Sequence, residues 1–162
     1  MARKIRTKND SFYSSYHDDS YILRHDCSKE ISLREPKENR LYKLHNKSGK
    51  EIVVYKIDGG LINNLNVMKC DYGIYTEEGW LFLIELKGKD LEHALDQLNN
   101  TISILIKRPN IKVKKLNARV VLSRVSVPRL FTSKENRLKQ LLYKSYGGGD
   151  YKKQCRILED TL

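Results

Sequence analysis

The sequence predicts an α/β protein in which helices flank a mixed central β-sheet. Three observations carry this. Between residues 51 and 87, three short runs of β-branched, aromatic and aliphatic residues are separated by turn signals. From Leu91 the apolar period lengthens from two to about 3.6 residues, the change that marks a helix after strands. Beyond Pro109 a strand-like run and then a helix-like run follow once more, so the order is strand, strand, strand, helix, strand, helix.

The elements are taken in order. Residues 1 to about 48 are polar, with Pro36 interrupting "SLREPKENR", and give no firm assignment. "EIVVYKI" from Glu51 reads as a strand and "DGG" at 58–60 as a turn. "CDYGIYT" and, after the turn "EEG", "WLFLIELK" complete an antiparallel meander. Asp90 is an N-cap for a helix whose stripe is Leu91, Ala94, Leu95, Leu98, Ile102 and Leu105, stopped by Pro109. "NARVVLS" is a mostly apolar and therefore interior strand. Thr132 and Glu135 form a capping box for a second helix bearing Leu138, Leu141 and Leu142, which Gly147 to Gly149 end, and "QCRIL" reads as one last strand.

A chain of 162 residues with 40% hydrophobic content suits one domain. Within 1–162 we expect a poorly assigned region 1–48, a motif-bearing core 50–125, and a basic helix and last strand in 126–162. No apolar run reaches the roughly 20 residues of a membrane span, and "MARKIRTKND" is not followed by the apolar core of a signal peptide. Three widely spaced cysteines, Cys27, Cys70 and Cys155, fit neither a disulfide framework nor a zinc pattern. The expectation is a cytoplasmic protein without a membrane partner.

Charge points to a polyanion. Against 20 acids stand 31 Lys and Arg, a formal +11. From Lys107 to Arg156 there are fifteen cations and two acids, Glu135 and Asp150, a local +13. Nucleic acid is the favoured partner, with Lys107, Arg108, Lys112, Lys114 and Lys115 as backbone-gripping candidates. A solvated face is the plain reading of such a run.

The chemistry candidates lie at the end of the third strand. Glu85 and Lys87 are two residues apart, so their side chains share one side of the strand at roughly 6 to 7 Å, with Leu86 facing the other way. Asp71, fourteen residues earlier in the preceding strand, is brought beside Glu85 by the hairpin. Two adjacent carboxylates repel, and a hard divalent cation such as Mg²⁺ relieves that repulsion while engaging phosphate oxygens. Lys87 could then orient or deprotonate an attacking water. The plain alternative is a surface ion pair with Asp71 capping a turn.

Asp71 in "KCDYG" with Glu85 and Lys87 in "IELKG", followed at once by a helix, resembles the PD-(D/E)xK nuclease superfamily, whose restriction-endonuclease-like core is α-β-β-β-α-β. Residues 50–125 match everything after that core's first helix. The resemblance implies a Mg²⁺-dependent nuclease, Mn²⁺ being an accepted substitute, with Asp71, Glu85 and the Leu86 carbonyl on the metal and Lys87 serving the water. It favours DNA over RNA and endonucleolytic hydrolysis, and it raises a homodimer, since cutting two strands needs two sites. A Holliday junction resolvase-like enzyme and a non-catalytic basic nucleic-acid-binding protein are the alternatives. Cys70 stands where the family commonly has proline, and the further acid some members take from their first helix has three candidates here, Glu30, Glu35 and Glu38. Some branches add a Gln from the following helix. Gln97, one turn beyond His93, is the candidate, either toward phosphate or the lysine or as a half-exposed flank residue.

Asp58 either supports the site or forms a turn, and His17, Asp18, Asp19, His25, Asp26 and Cys27 match no zinc spacing. "YGGGDY" lacks a phosphate-loop Lys and reads as a helix stop and flexible turn, while Tyr143, Tyr146 and Tyr151 either stack on bases or sit at an interface.

Overall fold

A computed structural model describes residues 11–88, 90–123 and 131–162, with the side chains of residues 11, 87 and 88 outside the description. The protein is α/β: a mixed six-stranded sheet flanked by helices, with a smaller three-stranded sheet on its other face.

The main sheet runs β1–β4–β5–β6–β7–β8. β1 (Ile22–Asp26), β4 (Ile52–Lys56), β5 (Tyr72–Thr76) and β6 (Trp80–Gly88) pair antiparallel in that order. β7 (Lys115–Leu122) is parallel to β6, and β8 (Tyr151–Cys155) is parallel to β7. A parallel neighbour requires the chain to return to the starting end. The helix α2 (Leu91–Ile102), continued by a π-helical turn over Ser103–Lys107, makes that return.

α2 forms where its pattern says. The Asp90 side chain accepts the His93 amide, and Ala94, Leu95, Leu98 and Ile102 are wholly buried. Each buried Leu contributes roughly 1.5 to 3 kcal/mol relative to exposure, which outweighs the weak intrinsic preference of a 12-residue helix. The π turn rotates the stripe so that both Leu105 and Ile106 are buried. α3 (Ser133–Ser145) begins with the Thr132–Glu135 capping box and buries Leu138 and Leu142 on the same face. The short α1 (Ser11–Ser15) adds Phe12 to that cluster.

Strand alternation sends Leu81 and Leu83 to the helical face and Phe82, Ile84 and Leu86 to the opposite one. The second face is covered not by a helix but by β2 (Glu30–Arg34), β3 (Leu41–His45) and β9 (Ile157–Thr161), which contribute Ile31, Leu33, Tyr42, Leu44 and Leu158. The unassigned N-terminal region thus supplies α1 and three strands. The single last strand expected over "QCRIL" is two strands in different sheets. Arg156, in the left-handed region at φ 67°, turns the chain from one to the other. Its amide donates to Leu122 of β7 and its carbonyl accepts from Leu41 of β3.

Among the described residues no helix is long and apolar enough to cross a membrane.

Candidate active site

The register of β5 and β6 decides where the acids go. Tyr72 pairs with Ile84, so Asp71, one residue before β5, lies beside Glu85. The Asp71 amide donates to the Ile84 carbonyl at 3.2 Å, and Asp71 Oδ2 accepts the Leu86 amide at 2.8 Å. The aspartate therefore reaches across the hairpin to the backbone between Glu85 and Lys87. Both acids are buried, Glu85 at 0% and Asp71 at 8% exposure. Leu86 is buried in the opposite layer, as alternation requires. Between Glu85 and Gly88 the ladder to β7 slips register, so Leu86 and Lys87 sit at a bulge, a device that re-aims groups at a strand end. The Lys87 backbone belongs to β6; its side chain lies outside the described residues.

The thiol of Cys70, wholly buried, senses both acids. Burial raises its pKa well above the ordinary thiol range, and the charges of Glu85 and then Asp71 push the same way, against a hydrogen bond with Thr101. Cys70 is thus an inert filler rather than a nucleophile.

Helix α2 holds the approach to Asp71 through three side chains on one flank. Asn100 Nδ2 donates to the Met68 carbonyl at 2.6 Å, Gln97 Nε2 to the Lys69 carbonyl at 3.0 Å, and Thr101 Oγ1 accepts the Cys70 amide at 2.9 Å. Spacings of three and four residues put these groups side by side, so consecutive backbone groups of 68–70 are fixed just before the aspartate. Gln97 is buried rather than half-exposed, and its amide holds the segment that carries Asp71; the Lys87 side chain, an expected partner, lies outside the described residues. Gln97 Oε1 is buried with no hydrogen-bond partner among the described residues. Gln97 and His93 line a pocket of about 280 Å³ together with Lys69 and Asp58.

Asp58 forms the expected turn and also approaches the Asp71 segment. It lies in the turn after β4, its amide 3.4 Å from the Asp71 carbonyl, and its carboxylate pairs with Lys69 Nζ at 3.5 Å. Of the three glutamates, Glu30 pairs with Lys43 and His45, and Glu38 with Arg40. Glu35 accepts from the Tyr72 phenol, whose pKa is pushed up to about 12 by burial first and the Glu35 charge second. Tyr72 packs with the face opposite Asp71 and Glu85, so Glu35 approaches from behind the sheet. The described helix α1 contains no acid.

The five basic candidates do not join the acids. Lys115 pairs with Trp80 at the start of β6, whereas Glu85 pairs with Val120. Five residues of strand separate these pairs, roughly 17 Å. Lys107, Arg108, Lys112 and Lys114 precede β7 and belong to that far end. At the carboxylate end Lys134 is matched by Glu92 and Asp96, and Lys153 by Glu135, while Lys56 and Arg156 are exposed with no ion-pair partner among the described residues.

Glu135 does more than cap. It is fully buried, accepts from Tyr151 at 2.7 Å and pairs with Lys153. Against burial, the Thr132 amide first and then those donors hold its carboxyl below the usual range. Tyr151 is therefore an interior residue, Tyr146 is partly buried, and only Tyr143 of the three tyrosines is exposed. The His17–Cys27 stretch gathers no ligand set: Asp18 caps Ser20, His25 meets Glu51 and Asp26 meets Arg24. Among the described residues no three His, Cys, Asp or Glu side chains cluster as metal ligands.

In comparisons with known proteins, no family model matches the chain, and neither a curated protein nor a solved structure matches it.

Proposed function

We propose that the protein is a Mg²⁺-dependent phosphodiesterase of the PD-(D/E)xK type, acting on nucleic acid and on DNA in preference to RNA. The observation that carries this is the burial of Asp71 and Glu85 side by side on adjacent strands, with Asp71 Oδ2 on the Leu86 amide. Two carboxylates buried side by side repel each other, and a hard divalent cation is the usual way to relieve that repulsion.

The donor set fits a hard cation. Two carboxylates and the Leu86 carbonyl at the bulge are oxygen ligands, the kind Mg²⁺ takes while keeping waters. When bound there, the ion supplies charge stabilisation to a phosphoryl oxygen. Asp71 and Glu85 would hold it, Lys87 would orient the attacking water, and Gln97 and Thr101 would keep Asp71 in place. The amino end of α2, starting three residues past β6, offers a partial positive charge for a phosphate. The succession β4, β5, β6, α2, β7, with β7 parallel to β6, supports the restriction-endonuclease-like reading of 50–125.

A second reading, a non-catalytic nucleic-acid binder, draws support from the distance between the basic segment and the acids. Cleavage of labelled single-stranded, duplex and four-way-junction DNA and of RNA, with Mg²⁺, Mn²⁺ or EDTA, separates the two. Metal-dependent cutting lost in Glu85→Ala and Lys87→Ala is expected, and a preference for junctions would make the enzyme resolvase-like. Tight binding without any cutting would overturn the nuclease reading.

A further inference from the structure

The cations of this protein are unevenly compensated. Lys43, Lys50, Lys69, Arg119, Lys134, Lys152 and Lys153 all have carboxylate partners. Lys107, Arg108, Lys114 and Lys144 are exposed and have no ion-pair partner among the described residues; exposed cations without one also occur elsewhere, at Lys29, Arg34, Lys37, Lys47, Lys56, Arg137 and Arg156, of which only Arg137 lies in so long an acid-free stretch. The sequence around the first four explains why: residues 97–123 contain no acid, and 131–149 contain only Glu135, which is buried in its own network.

Two separate segments are joined to make this surface. The glycine turn after α3 packs backbone against backbone on β7: a Cβ at Gly147 would lie 1.7 Å from the Lys114 carbonyl oxygen, and one at Gly149 1.8 Å from that of Leu116. Leu116 also donates to the Tyr146 carbonyl at 3.2 Å. The last turn of α3, carrying Lys144 and the 71% exposed Tyr143, is thereby set against the loop that carries Lys112 and Lys114. On the sheet side Lys115 Nζ covers the Trp80 ring at 4.7 Å.

We infer that this end of the sheet is a docking surface for the phosphate backbone of nucleic acid, separate from the carboxylates. The inference deepens the nucleic-acid reading above. Glu77 and Glu78 of the β5–β6 turn lie at this end, the latter paired with Lys50, and the exposed cations outnumber them, which suits a repeating phosphate chain; Tyr143 gives a base or sugar an aromatic face. A membrane surface is the poorer fit, because Tyr143 is the one large exposed hydrophobic residue described at this end. The roughly 17 Å between Lys115 and Glu85 along β6 equals about five nucleotides at 3.4 Å each. A strand gripped at the basic end is therefore presented to Asp71 and Glu85 some five nucleotides away.

The test is fluorescence anisotropy of a labelled 20-base-pair duplex with the full chain in EDTA, from 50 to 200 mM salt. Three chains are compared with wild type: Lys107→Gln/Arg108→Gln/Lys114→Gln, a charge-matched control Lys29→Gln/Lys37→Gln/Lys47→Gln, and Glu85→Gln. The first should reduce the slope of log K against log salt by about 3 and weaken binding at least tenfold. The control and Glu85→Gln should stay within threefold of wild type. Thermal melts check folding, and single substitutions, each expected to lower the slope by about 1, replace the triple variant if it unfolds. Equal weakening by the control, or an unchanged slope in the first variant, overturns the proposal. So does lysine-dependent binding to phosphatidylserine vesicles with no duplex binding. Because EDTA blocks cutting, failure of the nuclease reading shows only in the cleavage assay and is distinguishable from failure here.

Discussion

The two ends of the six-stranded sheet treat charge in opposite ways. At the end of β6 two acids are buried side by side, with Lys134 and Lys153 nearby paired to other carboxylates. At its start Lys107, Arg108 and Lys114 are exposed without an ion-pair partner among the described residues, the nearby Glu78 being taken by Lys50. Burying like charges is expensive, and a bound divalent cation is one arrangement that relieves it. Leaving surface cations unmatched costs little and creates a long-range field. The first arrangement suits chemistry at one phosphate, and the second suits capture of many. On the proposed function, turnover belongs to one end and affinity to the other.

The largest expected effect breaks the first end alone. Glu85→Gln should lower metal-dependent cleavage at least about 100-fold, and its duplex affinity in EDTA should match wild type. Equal losses in both assays would mean that the ends are not separable.

Gly147→Ala attacks the other end. At φ 65° a side chain costs about 1 to 2 kcal/mol, and the approach to the Lys114 backbone adds more. A melting temperature at least about 5 °C lower is expected in a calorimetric scan. A wild-type melt would show that the turn does not clamp α3 to β7.

These two ends were not equally legible. The capping signals at Asp90 and Thr132, the Leu stripe of α2 and the alternation through Leu83, Ile84, Glu85 and Leu86 are local, and local patterns survive in the chain as written. The three-stranded sheet was not legible, because β2 and β9 each offer two inward positions, Ile31 with Leu33 and Leu158 with Asp160. Nor does composition say on which side of a domain a charge run falls. The parallel pairing of β6 and β7 decides that, by sending the chain back before β7 begins. The flank position of Gln97 was readable, but its partner, the Lys69 carbonyl, lies in the connection between β4 and β5, whose path no periodicity describes.

Thr101→Val sharpens the comparison from the acid side. It keeps the shape but leaves the buried Cys70 amide without its acceptor, at about 1 to 3 kcal/mol. Reduced cleavage per bound duplex with an unchanged salt slope is expected. A changed slope would tie this residue to docking instead.

The smallest effect concerns Tyr72. Its folded pKa of about 12 lies above the ordinary phenol value of 10.0. The folded chain therefore holds this proton more tightly than the unfolded chain. The associated stability is complete below pH 10 and is lost as pH rises toward 12. Ultraviolet difference titration of wild type against Tyr72→Phe should reveal one phenol ionising near pH 12, and the variant should lack the added alkaline sensitivity. A phenol titrating near 10 would contradict its burial beside Glu35.

The central claim is that Asp71 and Glu85 together hold a divalent cation. The most direct measurement is the thermal melt of wild type, Asp71→Asn and Glu85→Gln, each with EDTA and with 10 mM Mg²⁺ or Mn²⁺. An ion bound to the native state at 100 times its Kd adds about 2.7 kcal/mol. A metal-dependent rise in wild type that is absent from both variants is the predicted result. A rise of the same size in all three chains, or none in wild type, would contradict it.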